Sequence, residues 1–371
     1  MMQAYSKLKA VFTQLSELEY INRIMMWDEA TMMPEGAGET RARSAATFSC
    51  LMQKILVNSK NKKLLELAKQ QDNLSDWDAA NLRWMEKKYI SSACIPPKLM
   101  GKLVRETLAC EQAWRKLRAE NNWRSFAPYF KRTFKLVQEA TKRRADIVNL
   151  SLYDSLLDDY SPGFDQQRID TIFSKLKQQL QQIIPAVISK QERETIQALE
   201  GPFAIEKQNQ LGLKVMRDLN FDFNHGRLDI SHHPFCNGIS TDVRITTRYN
   251  EQEFTSALFG ICHETGHALY EQGLPREWMD QPVGHVHSMA MHESQSLLWE
   301  MQVCRSREFC KYLLPDIQQK FGLQAGLLRI IYISWLRGYG LGLFEWMPMK
   351  SLIRCILFYV MKLRKNYFRV R

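Results

Sequence analysis

A mainly α-helical fold carrying one short antiparallel β element is what the sequence predicts, on three observations. Apolar residues recur at three- and four-residue spacing through residues 1–200, between long charged faces. From Gly226 to Tyr249 that texture gives way to alternation, and from Asn250 helical spacing resumes. A chain of 371 residues, 45% hydrophobic and 25% charged, is long enough to bury a large core.

The elements follow in order. Leu8, Phe12, Leu15 and Leu18 begin the apolar stripe of a first helix. Ser75 ahead of Asp76, Trp77 and Asp78 reads as a helix start, and Pro96-Pro97 ends the helix that follows. Tyr153 to Pro162 reads as a turn-rich link, and Ile169 to Ile184 is helical again. Arg227 to Ser231 alternates, and so does Asp242 to Tyr249. In the second run Asp242, Arg244, Thr246 and Arg248 share one face, while Val243, Ile245, Thr247 and Tyr249 share the other. Asn250 followed by Glu253 has capping-box spacing and opens a helix, which Gly273 and Pro275 close. The chain thereby divides into an N-terminal helical region (1–224), a core of short strands and two chemistry-bearing helices (225–322), and a tail (323–371).

Charge and cysteine usage exclude several function classes. The net charge is +11, but residues 323–371 hold nine Lys/Arg against the single acid Glu345. A near-neutral body with a basic tail is not a nucleic-acid surface. The apolar stretch 327–346 is interrupted by Arg329 and Arg337, which argues against a membrane span. Residues 1–25 are amphipathic and broken by Lys, Glu and Arg, unlike a signal peptide. Eight scattered cysteines without a CxxC pair suit free thiols in a reducing cytoplasm.

All eight histidines fall between His225 and His292, where the texture changes. His263-Glu264-Thr265-Gly266-His267 is an HExxH pattern on a helix. The i, i+4 spacing puts both imidazoles on one face, where they can share an ion. Glu264 sits about 100° around the helix, within reach of a water on that ion. Phe254, Leu258, Ile261 and Leu269 supply the packing beneath. Zn²⁺ accepts two imidazoles and a carboxylate and leaves a fourth position open. Co or Mn would also accept this donor set. The third ligand has four candidates, His285, His287, His292 and Glu293. An antiparallel helix beginning after a loop at 274–287 would return Glu293 to the ion.

Four short stretches in order resemble the carboxypeptidase Taq family of metallocarboxypeptidases. They are His233-Pro-Phe235, Asp242 to Arg248, His263 to Leu274, and His292-Glu-Ser-Gln-Ser296. The likeness extends forward to Trp27-Asp28, Met33-Pro34, Trp114 and Tyr153 to Tyr160, so it covers roughly residues 1–322. The resemblance implies a helical metallopeptidase with zinc on His263, His267 and Glu293 and with Glu264 as general base. It implies removal of C-terminal residues from peptides by a cytoplasmic homodimer; the charge distribution and the interrupted apolar stretch speak against nucleic-acid and membrane partners. It also places His233, Asp242, Arg244, Thr246, Arg248 and His292 in or near the cleft. A carboxypeptidase needs a cation for the terminal carboxylate. Arg244 and Arg248 are candidates for it, against the alternative that Arg244 pairs with Asp242 in the wall. An oligopeptidase or aminopeptidase would share the HExxH…Glu arrangement but not the HPF, DVRITTR and HESQS stretches.

The likeness fades after Phe321 and is absent by Leu336. Trp and Met have single codons, so a reading frame begun on the last base of each codon is partly forced. Trp346-Met347 must then give Asp, Met347-Pro348 Ala, and Met349-Lys350 and Met361-Lys362 Glu. All four fit the family's own segment, so the tail is expected to be out of frame. The competing expectation for the chain is an inactive family member that still binds metal. The alternative for the tail is a basic amphipathic helix.

Overall fold

In the computed structural model, residues 2–193 and 201–322 are described. The expectations for 323–371, both the shifted frame and the basic helix, lie outside these residues. The fold is mainly α-helical, with one three-stranded sheet. It divides into two compact units, each assembled from separate stretches of chain.

The first unit holds residues 1–151, 223–244 and 271–286. Its helices are α1 (Met2–Thr31), α2 (Gly38–Leu56), α3 (Ser59–Lys69), α4 (Asp76–Ala93), α5 (Pro97–Ala119) and α6 (Trp123–Val148). The stripe of α1 buries Tyr5, Leu8, Phe12 and Leu15 against Leu65 and Ala68 of α3 and Leu82 and Met85 of α4. Ser75 caps α4 by accepting from the Asp78 N–H at 3.2 Å. The first residue of α5 is Pro97, where a missing N–H breaks no helical bond. Left-handed Asn149 ends α6.

The 274–287 loop is pinned to this unit by buried amides. Gln281 Nε2 donates to the Lys9 carbonyl at 3.2 Å and to Thr13 Oγ1 at 3.0 Å. Asn81 donates to Gln281 Oε1 and accepts from the Val283 N–H, both at 3.1 Å.

The sheet comprises β1 (Gly226–Ile230), β2 (Cys236–Ile239) and β3 (Asp242–Thr247), in the order β1-β3-β2. Gly238 has φ +135, and a Cβ there would lie 2.0 Å from the Asp242 carbonyl oxygen, so β2 and β3 approach only through glycine. Val243 and Ile245 are fully buried, as the alternation requires. Thr246 and Thr247 are both buried too, so the alternation stops where both faces are covered.

Among the described residues, the second unit holds 152–193, 201–222, 245–270 and 287–322. It contains α7 (Leu152–Tyr160), α8 (Gln166–Glu192), α9 (Ile205–Asp218), α10 (Thr255–Gln272), α11 (Met289–Leu297) and α12 (Arg307–Phe321). Its core joins Leu211 and Val215 of α9 and Leu219 just past its end, Leu258, Phe259 and Cys262 of α10, and Phe309, Leu313 and Ile317 of α12.

Three local expectations are corrected here. Tyr153 to Pro162 is not a turn-rich link, because burial of Tyr153 and Ser155 holds it as helix α7. Helix α10 begins at Thr255, since the Glu253 carboxylate caps the N–H groups of Thr255 and Ser256 at 2.5 and 2.9 Å. Asn250 instead makes a turn, accepting from the Gln252 N–H at 2.9 Å. The helix expected after the 274–287 loop does not run on unbroken: it is interrupted by a π-helical turn at Leu298–Val303 and a fresh N-cap at Ser306.

Candidate metal centre

Helix α10 is buried over most of its length, from Ala257 to Ala268 with few interruptions. His263 and His267 lie one turn apart on it, each 8% exposed. Helix α11 brings Glu293 against them. Glu293 Oε2 is 3.2 Å from His267 Nε2 and 3.7 Å from His263 Nε2. Ligand atoms of these three residues all lie within 4.8 Å of one another. Of the four candidates for a third donor, Glu293 alone joins this group among the described residues.

The donor set fits a divalent cation. Ligands at about 2.0–2.2 Å around a tetrahedral ion stand roughly 3.3–3.5 Å apart, and the observed spacings bracket that value. Burial pushes the His267 imidazole below its ordinary range, with Glu293 pulling the other way. The net direction favours the neutral form, whose lone pair is what a metal takes. The Glu293 side chain is 44% exposed while both imidazoles are 10% exposed, so the cluster opens to solvent on the glutamate side. That is the position a catalytic water or substrate needs. Glu264 follows His263 directly and is buried at 4% exposure.

The close approach of α11 depends on Gly266. A Cβ at that position would lie 2.7 Å from Ser296 Cα and 2.8 Å from the Gln295 carbonyl oxygen, both backbone atoms. His292 does not enter the cluster. Its ring stacks on His267 at 4.4 Å and 16°, and it meets the Tyr270 ring edge-to-face at 5.3 Å. It thus forms a wall that holds the His267 ring plane. His285 belongs to the first unit, where its Nε2 lies 2.9 Å from the Met279 carbonyl.

Behind His263 stands a pair that sequence reasoning missed. His263 Nδ1 lies 2.8 Å from Glu300 Oε2, and Arg305 Nη2 donates to Glu300 Oε1 at 3.2 Å. The Arg305 guanidinium sits 3.7 Å over the Phe259 ring. Glu300 had one legible signal, its seven-residue spacing from Glu293, which keeps both on one helical face. Arg305 had none.

The remaining cleft candidates are spread over both units. His233, Asp242 and Arg244 belong to the first unit, Thr246 and Arg248 to the second. Arg244 grips Asp242 with two bonds, Nε to Oδ1 at 3.0 Å and Nη2 to Oδ2 at 2.9 Å. Its guanidinium also covers the Trp27 ring at 4.4 Å. Arg248 is exposed and Thr246 is fully buried. The seven described cysteines are free thiols. No described helix is long and apolar enough to cross a membrane.

A family model described as carboxypeptidase Taq (M32) metallopeptidase matches residues 7–329. The chain belongs to that family. It is 34% identical over 334 residues to thermostable carboxypeptidase 1 of Thermus thermophilus, covering 86% of this chain and 64% of that protein. Carboxypeptidase 1 of Bacillus subtilis is 29% identical over 330 residues, with 87% and 65% covered. The solved structure of Trypanosoma cruzi metallocarboxypeptidase 1 matches with a TM-score of 0.83 at 35% identity, covering 90% of this chain and 68% of that one. The chain therefore spans about two thirds of the length of these M32 relatives, 64% for the Thermus protein.

Proposed function

We propose that this chain is a zinc-dependent metallocarboxypeptidase that releases C-terminal amino acids from peptides. The observation that carries the reading is the convergence of His263, His267 and Glu293, with Glu264 beside them on the same helix. Its M32 membership supports a divalent metal and a peptide substrate. Two imidazoles and one carboxylate favour zinc, with cobalt or manganese as functional substitutes.

His263, His267 and Glu293 would hold the ion, which when bound would acidify the attacking water and polarise the scissile carbonyl. Glu264 takes the proton from the attacking water and delivers it to the leaving amine. His292 and Tyr270 keep the His267 ring in plane. Of the two arginines, Arg244 spends its fork on Asp242, so Arg248 is the one open to a substrate carboxylate. Free thiols suit a cytoplasmic setting, and a homodimer is the assembly proposed with it.

The test is a digest of an unblocked peptide by the zinc-loaded chain, followed by mass spectrometry beside a Glu264→Gln control. The expected product is a ladder of losses from the C-terminus, with the control about 10²–10⁴-fold slower at unchanged metal content. Cleavage from the amino end, or a control as fast as the wild type, would overturn the assignment. One metal bound without cleavage would favour the inactive, metal-binding member.

A further inference from the structure

We infer that the buried Glu300–Arg305 pair is a positioning device that fixes the tautomer and ring orientation of His263 for metal binding. The inference rests on the metal-centre reading above. Its starting point is the bond between His263 Nδ1 and Glu300 Oε2 at 2.8 Å. An ionised carboxylate only accepts, so His263 must carry its proton on Nδ1. Nε2 is then bare, and Nε2 is the nitrogen that faces Glu293. A metal-binding imidazole needs that state, and a carboxylate behind the ring raises its basicity.

Arg305 divides the labour of the two carboxylate oxygens. It takes Oε1 at 3.2 Å and leaves Oε2 for the imidazole. Both side chains of the ion pair are 6% exposed. Its guanidinium lies on Phe259, one turn before His263 on the same face of α10. The charge of Glu300 is thus compensated without a second metal-seeking oxygen reaching the site.

The backbone is built for this contact. Residues five apart on an α-helix lie about 140° apart and do not meet. Here the chain runs as a π-helical turn from Leu298 to Val303, and the Cys304 N–H donates to the Trp299 carbonyl at 2.8 Å, a five-residue step. That wider turn brings Arg305 back onto Glu300. Isolated π-turns inside helices are rare and cluster at functional sites. The pair is no obvious aid to folding. Cys262 and Cys304 nearby are fully buried, and apolar residues of similar volume often hold such a place at least as well as an ion pair.

Removing one charge alone would strand the other, so the decisive variant is the double substitution Glu300→Leu/Arg305→Met. Glu300→Gln is the companion, because its amide oxygen still accepts from His263 Nδ1. Cobalt affinity is measured by competition with a chelating dye, with the ligand-field spectrum recorded and the melting temperature of the metal-free proteins taken alongside. The expected result is a loss of roughly 10–100-fold in affinity for the double variant, a changed cobalt spectrum and an unchanged metal-free melting temperature. Glu300→Gln should fall less. A double variant that binds cobalt as the wild type does would overturn the inference while leaving the metal centre intact. If the double variant does not fold, Glu300→Met/Arg305→Leu takes its place, and wild-type affinity with an unaltered cobalt spectrum in that variant overturns the inference. A wild type that binds no cobalt would overturn the metal-centre reading and this inference with it.

Discussion

Asp242 and Arg244 stand two residues apart on β3, on the same face of the strand, and Tyr20 of α1 reaches the same carboxylate with its hydroxyl at 2.8 Å. Burial alone would raise the Asp242 carboxyl, but the bonds from Arg244 and Tyr20 outweigh it and hold the group below its usual range. A carboxylate depressed in the fold contributes stability above its unfolded pKa of about 3.9, and that contribution is lost as pH falls through the folded value. Arg244→Gln should therefore cost about 1.5–3 kcal/mol near neutral pH, the range for hydrogen bonds to a charged partner. The difference from wild type should shrink below about pH 4 as Asp242 protonates. Urea unfolding of both proteins across that range checks it, and a gap that stays constant into acid would refute the assignment. At this scale the sequence was informative where spacing alone decides contact. The i, i+2 step of β3 and the i, i+4 step of His263 and His267 both follow from regular geometry. Arg305 was invisible because its partner is reached only through a π-turn.

Helices α10 and α11 meet at a glycine, and that contact sets how far Glu293 stands from the imidazoles. A Cβ on residue 266 would press on the backbone of Ser296 and Gln295, which no rotamer change relieves. Gly266→Ala should cost about 1–3 kcal/mol by overpacking. Because Glu293 rides on the displaced helix, metal affinity should fall by about tenfold, equivalent to ~1.4 kcal/mol. Dye competition on the folded variant decides the point, since unchanged affinity would mean that Glu293 is not placed by this contact. The Ser288 N-cap of α11 emerged from the structure, whereas the presence of a second helix after the 274–287 loop was legible from the helical pattern around His292–Ser296. The need for glycine at 266 was not, because it belongs to the neighbouring backbone and leaves no mark on the periodicity of α10. The early start expected for α10 has a similar cause. Asn250 and Glu253 have the residue types of a capping box, but the Asn250 carbonyl accepts from Gln208 of α9 at 2.9 Å and the Glu251 carbonyl from the Phe203 N–H at 2.6 Å. Those distant partners hold 250–253 as a turn.

At the scale of the molecule, helix content and the position of the sheet follow from local pattern, whereas the interleaving of three chain stretches in each unit does not. Periodicity reports which face of an element is buried, and it is silent on which other stretch buries it. The metal cluster illustrates the consequence, since its three residues all lie in the second unit, on α10 and α11. Zinc bound at this cluster would oppose any opening that parts these two helices, while openings confined to α1, α3 and α4 would gain nothing from it. At free zinc about 100 times the dissociation constant, the stabilisation is about 2.7 kcal/mol, enough to slow exchange roughly 100-fold for amides that exchange through such openings. Hydrogen exchange with and without zinc should place that slowing in residues 255–272 and 289–303, with the amides of α1, α3 and α4 unchanged. Glu293→Gln should abolish the difference. Equal slowing throughout the chain would mean that both units open only together, and no slowing in either helix would remove the cluster as the site where zinc binds.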